Sequence, residues 1–276
     1  NPYLVDAPIY FLERREKPIC DVPEINKGSE ATDFGFLVLS PEERTELIKA
    51  EPQSEKWIRP FIGGDEYINN IERYCLWLQG VEPNEIKSMP KVMERVKKVH
   101  VARAASKKER TVEWAKFPAL FTENRQPQTS YLVVPKVSSE RRFFIPIGFV
   151  SDEWIASGSV QIIPNATLYH FGILSSSMHM AWMRTTAGRM KSDYQYSNTI
   201  VYNNFPWPQA QTDKQRKTIE DAAQAVLDAR AQFPNASLAD LYDPLTMPAA
   251  LTKAHQNLDA AVDMAYAKRK FTGDSD

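Results

Sequence analysis

Four runs of residues decide the fold of this chain: YLVV at 131–134, RFFIPIGFV at 142–150, SVQII at 159–163 and LYHFGILSSSMHMAWMRTT at 168–186. The first three are rich in β-branched and aromatic residues, which predicts three strands. The fourth carries few charges before Arg184 and is long enough for a largely buried helix. Mixed strands with helices at irregular intervals favour an α+β fold over a regular βαβ alternation.

Further elements flank this centre on both sides. Residues 34–39 and 74–78 predict strands, and residues 197–202 predict one more short strand. Ser40-Pro41-Glu42-Glu43 has the pattern of a helix start, because serine caps, proline fits the first helical position and glutamate follows three residues after the cap. Apolar residues recur at helical spacing over residues 90–106 and predict an amphipathic helix.

A change in composition near residue 208 predicts the main domain boundary. Pro206-Trp207-Pro208 lies on it, and proline prevents either flanking element from running through. The residues after it are rich in Ala, Asp, Gln and Lys, with two apolar stripes at helical spacing. We therefore predict a mixed-sheet domain over residues 1–208 and a small helical region over residues 209–276, built as an antiparallel hairpin that packs against another element.

Composition excludes several classes of protein. The 276 residues are 43% hydrophobic and 25% charged, which is ordinary for a globular protein and excludes disordered and collagen-like chains. No apolar run reaches the roughly 18 residues that a membrane span needs. The two cysteines are too few for a disulfide scaffold and fit a reducing compartment. The formal net charge is −1, so a nucleic-acid partner would require a local basic patch.

Both ends of the chain have the character of an excised piece of a longer protein. Asn1-Pro2-Tyr3 has no initiator methionine and no signal-peptide pattern, and the final residues show no helix-closing signal. We therefore expect further domains outside these 276 residues.

The motifs of common active sites are absent from the sequence. There is no G-x-G loop, no pair of histidines at i,i+4, no C-x-x-C pair and no G-x-S-x-G elbow. The run Ser175-Ser176-Ser177 is interpreted as close helix packing, and His170 and His179 as core histidines with satisfied hydrogen bonds. We predict that this chain carries no catalytic site of its own.

A basic run lies at residues 87–110, where nine Lys or Arg residues stand against two Glu residues. Such a density of positive charge can neutralise several phosphates and make binding salt-dependent. The alternative is a solvated helix face.

A second polar segment, residues 188–197, follows the predicted buried helix. Lys191 and Asp193 are two residues apart, so in an extended segment they project to the same side. Together they could donate to guanine and accept from cytosine of one G·C pair. A surface ion pair is the alternative, and the pattern alone favours it.

Collinear blocks over nearly the whole chain resemble the target-recognition region of MmeI-like DNA methyltransferases. The blocks are residues 17–24, 32–35, 73–78, 138–149, 168–172, 179–182, 189–197, 201–208 and 241–248. The last of these resembles the helical C-terminal segment of that family.

The resemblance implies an architecture for the parent protein. Family members carry a Rossmann-like adenine-N6 methyltransferase core, then a DNA target-recognition domain, then a helical region, and some add an N-terminal nuclease for restriction. The S-adenosylmethionine loop and the N-P-P-Y-type catalytic loop would lie upstream. Asn1-Pro2-Tyr3 lacks the second proline of that loop, and residues 204–208 have the wrong order for it. The implied partners are double-stranded DNA and the chain's own upstream core, with no membrane, in the bacterial cytoplasm at the nucleoid.

The resemblance also implies three base-reading pairs. Lys191 with Asp193 suits guanine opposite cytosine, and Gln195 with Ser159 forms the second pair. Lys136 with Gly158 forms the third, where the family often places a longer polar side chain at the second position. Glycine cannot contact a base edge, so Lys136 acts alone or the readout is relaxed.

The same resemblance strengthens the case for phosphate contacts by basic residues. The candidates are Lys91, Arg95, Lys97, Lys98, Arg103, Lys107, Lys108 and Arg189. Two other interpretations stay open: a stand-alone enzyme with an unfamiliar site, and a protein-interaction or scaffold module of a phage-defence complex. A degenerate recognition domain in a phage-defence methyltransferase is intermediate between them.

Overall fold

The computed structural model describes residues 11–209, 211–267 and 269–274. Asn1-Pro2-Tyr3, considered above as a possible catalytic loop, lies outside the described residues, as does the last part of the C-terminus.

The first half of the described chain alternates short strands and helices. In chain order these are β1 (Asn26–Lys27), β2 (Val38–Leu39), α1 (Pro41–Ala50), β3 (Ile58–Ile62), α2 (Gly64–Asn69), β4 (Tyr74–Leu76), α3 (Pro83–Lys87), α4 (Pro90–Ala104) and α5 (Glu109–Glu113). Two 3-10 turns, Pro52–Trp57 and Trp114–Lys116, follow α1 and α5.

The second half begins with strands and ends with helices. The strands are β5 (Tyr131–Pro135), β6 (Val137–Ser138), β7 (Gly148–Val150), β8 (Ile155–Ala156), β9 (Val160–Pro164), β10 (Gly188–Met190) and β11 (Asp193–Gln195). The helices are α6 (Leu168–Leu174), α7 (Ser177–Thr186), a π-helical turn at Asn198–Tyr202, α8 (Asp213–Ala231), α9 (Leu238–Leu241) and α10 (Ala249–Tyr266).

The strands form three small sheets. Their strand orders are β1-β9-β5-β7, β10-β11-β6 and β2-β4-β3-β8. All pairings are antiparallel except that between β3 and β8. None of the helices in the described ranges is long and apolar enough to cross a bilayer.

Strand β5 is buried on both of its faces. Because side chains alternate along a strand, Leu132 and Val134 enter the largest hydrophobic core while Tyr131 and Val133 enter a second, smaller one with Ile162. A third core lies between α4 and the sheet that contains β4. The central run of hydrophobic residues therefore joins the first two of these cores.

The C-terminal helices pack directly on α6. Gly172 permits this approach, because an added Cβ would lie 2.9 Å from Ile219 Cγ2 and 3.1 Å from Ala223 Cβ. The largest core thus contains residues from both sides of the predicted boundary at residue 208. That boundary stays a prediction, whereas the tail helices form the packed hairpin that the sequence indicates.

Several local signals are confirmed by the structure. Ser40 caps α1 in a reciprocal capping box with Glu43, and α4 covers most of the predicted residues 90–106. At the N-terminus of α4, the buried carboxylate of Glu51 accepts the backbone N–H groups of Lys91 and Val92. The N-terminus of a helix is a favourable place for negative charge.

Three predicted strands are shorter than expected, and β4 ends at Leu76 instead of residue 78. In the run 142–150, β7 begins only at residue 148, because Pro146 has no N–H and the N–H of Ile145 donates to Met180 Sδ at 3.3 Å. In the run 34–39, β2 begins at residue 38. The preceding residues form a turn in which Asp33 accepts the N–H groups of Leu37 and Val38 at 2.8 and 2.9 Å.

One predicted helix is interrupted, and one predicted strand is wrong in type. Residues 168–186 form two helices, because Ser176 ends α6 by donating to the Ile173 carbonyl at 2.7 Å and caps α7 by accepting from the His179 N–H. Residues 198–202 form a π-helical turn instead of a strand, and the Asn204 amide holds it by donating to the carbonyls of Thr199 and Ile200, both at 3.1 Å.

Candidate nucleic-acid interface

The polar segment after α7 folds as a β-hairpin. In its register Gly188 pairs with Gln195 and Met190 pairs with Asp193, so Lys191 and Ser192 are the two turn residues. Lys191 has a φ of 58°, a left-handed conformation that is uncommon for residues other than glycine. The sequence argument that an extended segment projects Lys191 and Asp193 to one side is therefore wrong in its geometry.

The alternation of side chains along β11 instead places Asp193 and Gln195 on the same face of the strand. Tyr194 between them is buried in the main core, so its two neighbours face outward, and Gln195 is exposed. Lys191 extends from the tip of the hairpin, where it is exposed. The hairpin thus presents one cationic, one anionic and one amide side chain to solvent.

Arg189 stiffens this hairpin. Its guanidinium lies over the Tyr194 ring at 3.8 Å from the centroid and donates to the Ser192 carbonyl at 2.8 Å. It also pairs with Glu140 at 3.5 Å. A cation–π contact with two polar partners fixes the turn that carries Lys191, and the predicted phosphate contact of Arg189 stays a prediction.

The other predicted base-reading residues are joined to the hairpin through β6. Gln195 pairs with Val137 in the sheet register, and Lys136 immediately precedes β6. The Lys136 ammonium donates to the carbonyl of Gly158. We call the surface formed by Lys136, Gly158, Ser159, Lys191, Asp193 and Gln195 the reading face.

Ser159 is fixed on this face by its hydroxyl. Its Oγ accepts the N–H of Gly64, the first residue of α2, at 3.1 Å and shares a hydrogen bond with Ser157 Oγ at 2.8 Å. The loop of residues 157–159 is thereby held against α2. A substitution at Ser159 therefore alters a tethered residue rather than a free side chain.

A groove of about 650 Å³ lies between α2 and the reading face. Asp193 and Ser159, assigned to different pairs, both line it. Six further polar residues line the same groove and were not assigned from the sequence: Asp65, Glu66, Asn69, Arg73, Ser139 and Arg142. Arg142 lies in a block that carries the resemblance, but nothing in the local pattern indicates that it faces Asp193.

Arg142 places a cation beside the Asp193 carboxylate. Burial lowers the pKa of Arg142, whereas the nearby carboxylates of Asp193 and Asp243 raise it. Asp193 Oδ1 also accepts the backbone N–H of Glu140 at 3.4 Å. The groove wall therefore offers donors and acceptors side by side, as required for reading base edges.

Lys136 lies in a cluster of charged side chains. Burial, with the positive charges of Lys27 and Arg125, lowers the pKa of Lys136, whereas Glu30 raises it. The Glu123 carboxylate balances the cluster through ion pairs of 3.1 Å to Lys27 and 3.0 Å to Arg125.

The structure corrects the assignment of Arg103. This residue is fully buried, and its five N–H groups donate to the carbonyls of Ala31, Thr32, Trp114, Phe117 and Leu120 at 2.8–3.1 Å. All of its donor capacity is used. Arg103 joins three segments of the backbone and is not available to a phosphate.

The remaining basic residues of α4 are only partly free. Arg95 pairs with Glu43 and Lys98 with Glu94, at 2.8 and 2.9 Å, whereas Lys91 and Lys97 are exposed, as are Lys107 and Lys108 in the segment after α4. The groove of the reading face is lined by no residue of α4. Phosphate contacts from this helix remain a prediction.

The histidines that attracted notice in the sequence are structural. His179 is fully buried and shares a hydrogen bond of 2.9 Å with Tyr196 Oη, and burial lowers its pKa to about 3. Its Nδ1 has no hydrogen-bond partner among the described residues, so the prediction of satisfied hydrogen bonds holds for one ring nitrogen only. His170 Nδ1 accepts the N–H of Thr167 at 3.0 Å at the start of α6. Within residues 11–209, 211–267 and 269–274, no three His, Cys, Asp or Glu side chains cluster as a metal site would require.

Two family models match nearly the whole chain. They are the MmeI target recognition domain, over residues 6–209, and the MmeI C-terminal domain, over residues 211–276. DNA methyltransferase A of Bacillus subtilis (strain 168) is 38% identical over 276 residues, which cover 100% of this chain and 31% of that protein.

A solved structure shows the same fold. The type IIL restriction-modification enzyme MmeI in complex with DNA matches with a TM-score of 0.95 and 47% identity, over 99% of this chain and 36% of that chain. The match confirms the mixed α+β fold predicted from the sequence. The chain spans about a third of the length of each of these relatives.

Proposed function

The chain belongs to the MmeI family, whose target recognition and C-terminal domains it contains, and we propose that it reads the sequence of duplex DNA for an adenine-N6 methyltransferase. The reading face carries this proposal. Residues from three separate segments, at 136, at 158–159 and at 191–195, form one surface beside a polar groove. The MmeI structure, which shares this fold, was solved in complex with DNA.

Each pair on the face has a chemical role at the major-groove edge. Lys191 donates to guanine O6 or N7, and Asp193 accepts from the N4 amino group of the paired cytosine. Gln195 with Ser159 reads a second base pair, and Lys136 at Gly158 a third. One good bidentate contact contributes about 1–3 kcal/mol of discrimination, so a few pairs suffice for a site of several base pairs.

Phosphate contacts would set the register of the duplex without reading its sequence. The exposed Lys91, Lys97, Lys107 and Lys108 are the candidates that the structure leaves accessible, whereas Arg189 of the hairpin already pairs with Glu140 at 3.5 Å. Arg95 and Lys98 could join them only by sharing or leaving their glutamate partners. This contribution makes binding steeply dependent on salt.

Methyl transfer belongs to a part of the parent protein outside these residues. In this proposal these residues hold no S-adenosylmethionine, which is supported by the lack of a G-x-G loop in the sequence for a nucleotide-like cofactor. In the parent, an upstream core would bind the cofactor and receive an adenine flipped out of the duplex. The task of this chain is then to hold the flanking duplex in register with that core.

The first experiment expresses the complete reading frame in a host without DNA methylation and maps N6-methyladenine by long-read sequencing. One asymmetric methylated motif would support the proposal. Soluble protein without any modified adenine, with S-adenosylmethionine present, would contradict it and favour a scaffold or a parent that needs a partner. The purified 276-residue chain should transfer no labelled methyl group to DNA.

A DNA-binding measurement distinguishes the proposed function from the scaffold interpretation. Lys191→Ala in the complete protein should weaken binding to DNA that contains the methylated motif far more than binding to a scrambled duplex. Equal binding by wild type and variant would favour the scaffold.

A further inference from the structure

Glu30 occupies the space beside Gly158 on the reading face. A Cβ added to Gly158 would lie 2.6 Å from Glu30 Oε2. The side chain that residue 158 lacks is therefore replaced in space by a carboxylate from a segment 128 residues earlier in the chain.

The backbone fixes Glu30 in this position. Ser29 forms a parallel bridge with Ser157, and the N–H of Ser29 donates to the Ala156 carbonyl at 2.7 Å. Glu30 and Glu123 exchange backbone hydrogen bonds of 3.0 and 3.2 Å. Bonds on both sides of the segment set the direction in which the Glu30 side chain leaves it.

The preceding glycine permits the close approach of this segment. A Cβ on Gly28 would lie 2.2 Å from the Ser157 carbonyl oxygen, a distance that no side chain tolerates. Gly28 and Gly158 thus allow two backbone segments to approach closely, with the Glu30 carboxylate at their edge.

Lys136 reaches the same point from the other side. Its ammonium donates to the Gly158 carbonyl, which uses one of its three donors. The Glu30 side chain keeps 48% of its surface exposed, and its ion pair with Lys27 is long, at 4.0 Å. A donor and an acceptor with free capacity therefore meet at Gly158.

We propose that Glu30 supplies the acceptor that Gly158 lacks, and that Lys136 and Glu30 together read one base pair of the DNA site. Lysine donates to guanine O6 or N7, and glutamate accepts from the N4 amino group of the paired cytosine. This inference rests on the proposed function. It replaces the expectation that Lys136 acts alone.

The test uses the complete reading frame in a host without DNA methylation, with N6-methyladenine mapping as the readout. Wild type, Glu30→Ala and Lys136→Gln are compared, and Glu24→Ala serves as a control that removes an exposed carboxylate, which pairs with Lys17 at 3.7 Å. Glu30→Ala and Lys136→Gln should relax the same base pair of the motif, with discrimination there reduced about 10- to 100-fold. Glu24→Ala should keep the wild-type motif.

A transfer variant adds a second readout. Glu30→Ala combined with Gly158→Asp moves the carboxylate to the neighbouring segment and should restore preference at that pair. If a variant is too inactive to map, the complete proteins are compared by competition with duplexes carrying single base-pair changes. A loss confined to one pair supports the role, and an equal loss across all duplexes overturns it.

The outcomes separate this inference from the proposed function. A methylated motif in wild type that is unchanged in Glu30→Ala overturns the role of Glu30 and leaves the proposed function intact. Relaxation of different base pairs by Glu30→Ala and Lys136→Gln also overturns it. A wild type that methylates no defined motif overturns both.

Discussion

Replacing Arg103 with methionine should destabilise the fold rather than weaken DNA binding selectively. Methionine fills much of the same volume but leaves five backbone carbonyls without their donor. Hydrogen bonds to a charged donor contribute about 1.5–3 kcal/mol each, but such contributions are not additive. Leaving a buried acceptor without its donor costs about 1–3 kcal/mol, so with five carbonyls affected we expect Arg103→Met to lower the free energy of unfolding by at least about 3 kcal/mol. Arg103→Lys keeps at most three donors. Its free energy of unfolding should therefore lie between those of wild type and Arg103→Met.

Urea unfolding of the 276-residue chain, followed by tryptophan fluorescence, measures this loss. Lys97→Met on the same helix is the matched control, because Lys97 is exposed and its replacement should change the free energy of unfolding by less than about 0.5 kcal/mol. An Arg103→Met chain that unfolds at the wild-type urea concentration, while the complete protein binds DNA more weakly, would refute the structural role and restore the phosphate contact.

Three further perturbations test the packing and the electrostatics of the fold. Gly172→Leu should lower the melting temperature through overpacking against Ile219 on α8, at a cost of about 1–3 kcal/mol; an unchanged melting temperature would refute the close contact. Burial lowers the pKa of His179 from 6.5 to about 3, so between these values the unfolded chain binds a proton that the folded chain does not. The free energy of unfolding should therefore fall by about 2 kcal/mol at pH 5 relative to neutral pH on account of this residue. His179→Phe should remove that part of the pH dependence in urea titrations at pH 5 and 7, and an identical slope would contradict the assignment. Glu51→Ala removes the acceptor at the start of α4 and should cost about 1–2 kcal/mol in the same assay, whereas unaltered stability would show that the cap contributes nothing.

Local signals in the sequence predicted the elements whose causes are local. The capping box at Ser40, the apolar stripe of α4 and the stripes of the two tail helices depend on neighbours within a few residues, so the pattern was sufficient. The buried run at 131–134 was equally clear, because a strand covered on both faces is continuously apolar.

The errors arise where hydrogen bonds of a single side chain, local or distant, decide the structure. The π-helical turn at 198–202 is held by the nearby side chain of Asn204, and the break between α6 and α7 depends on the hydroxyl of Ser176 at the break itself. Arg103 belongs to an exposed-looking basic run, but the five carbonyls that bury it come from residues 31–32 and 114–120. Helical periodicity cannot show such contacts.

On the reading face, too, some features were predicted from the sequence and others were missed. The resemblance supplied its six residues, and the structure adds the bond from Lys136 to Gly158 and the pairing of Gln195 with Val137. The turn conformation of Lys191 contradicts the extended segment assumed for it. Arg142 and Glu30 were missed, because their places beside Asp193 and Gly158 depend on approaches across the tertiary fold.

The most direct test of the account exchanges the charges at the tip of the hairpin. The complete reading frame carrying Lys191→Glu with Asp193→Arg is expressed in a host without DNA methylation, and its N6-methyladenine motif is mapped beside that of wild type. The control is Lys217→Glu with Asp221→Lys, which exchanges an exposed ion pair on α8 and also keeps the net charge. We expect the hairpin variant to methylate a motif changed at one base pair, and the control to keep the wild-type motif. A hairpin variant that methylates the unchanged wild-type motif would contradict base reading by Lys191 and Asp193.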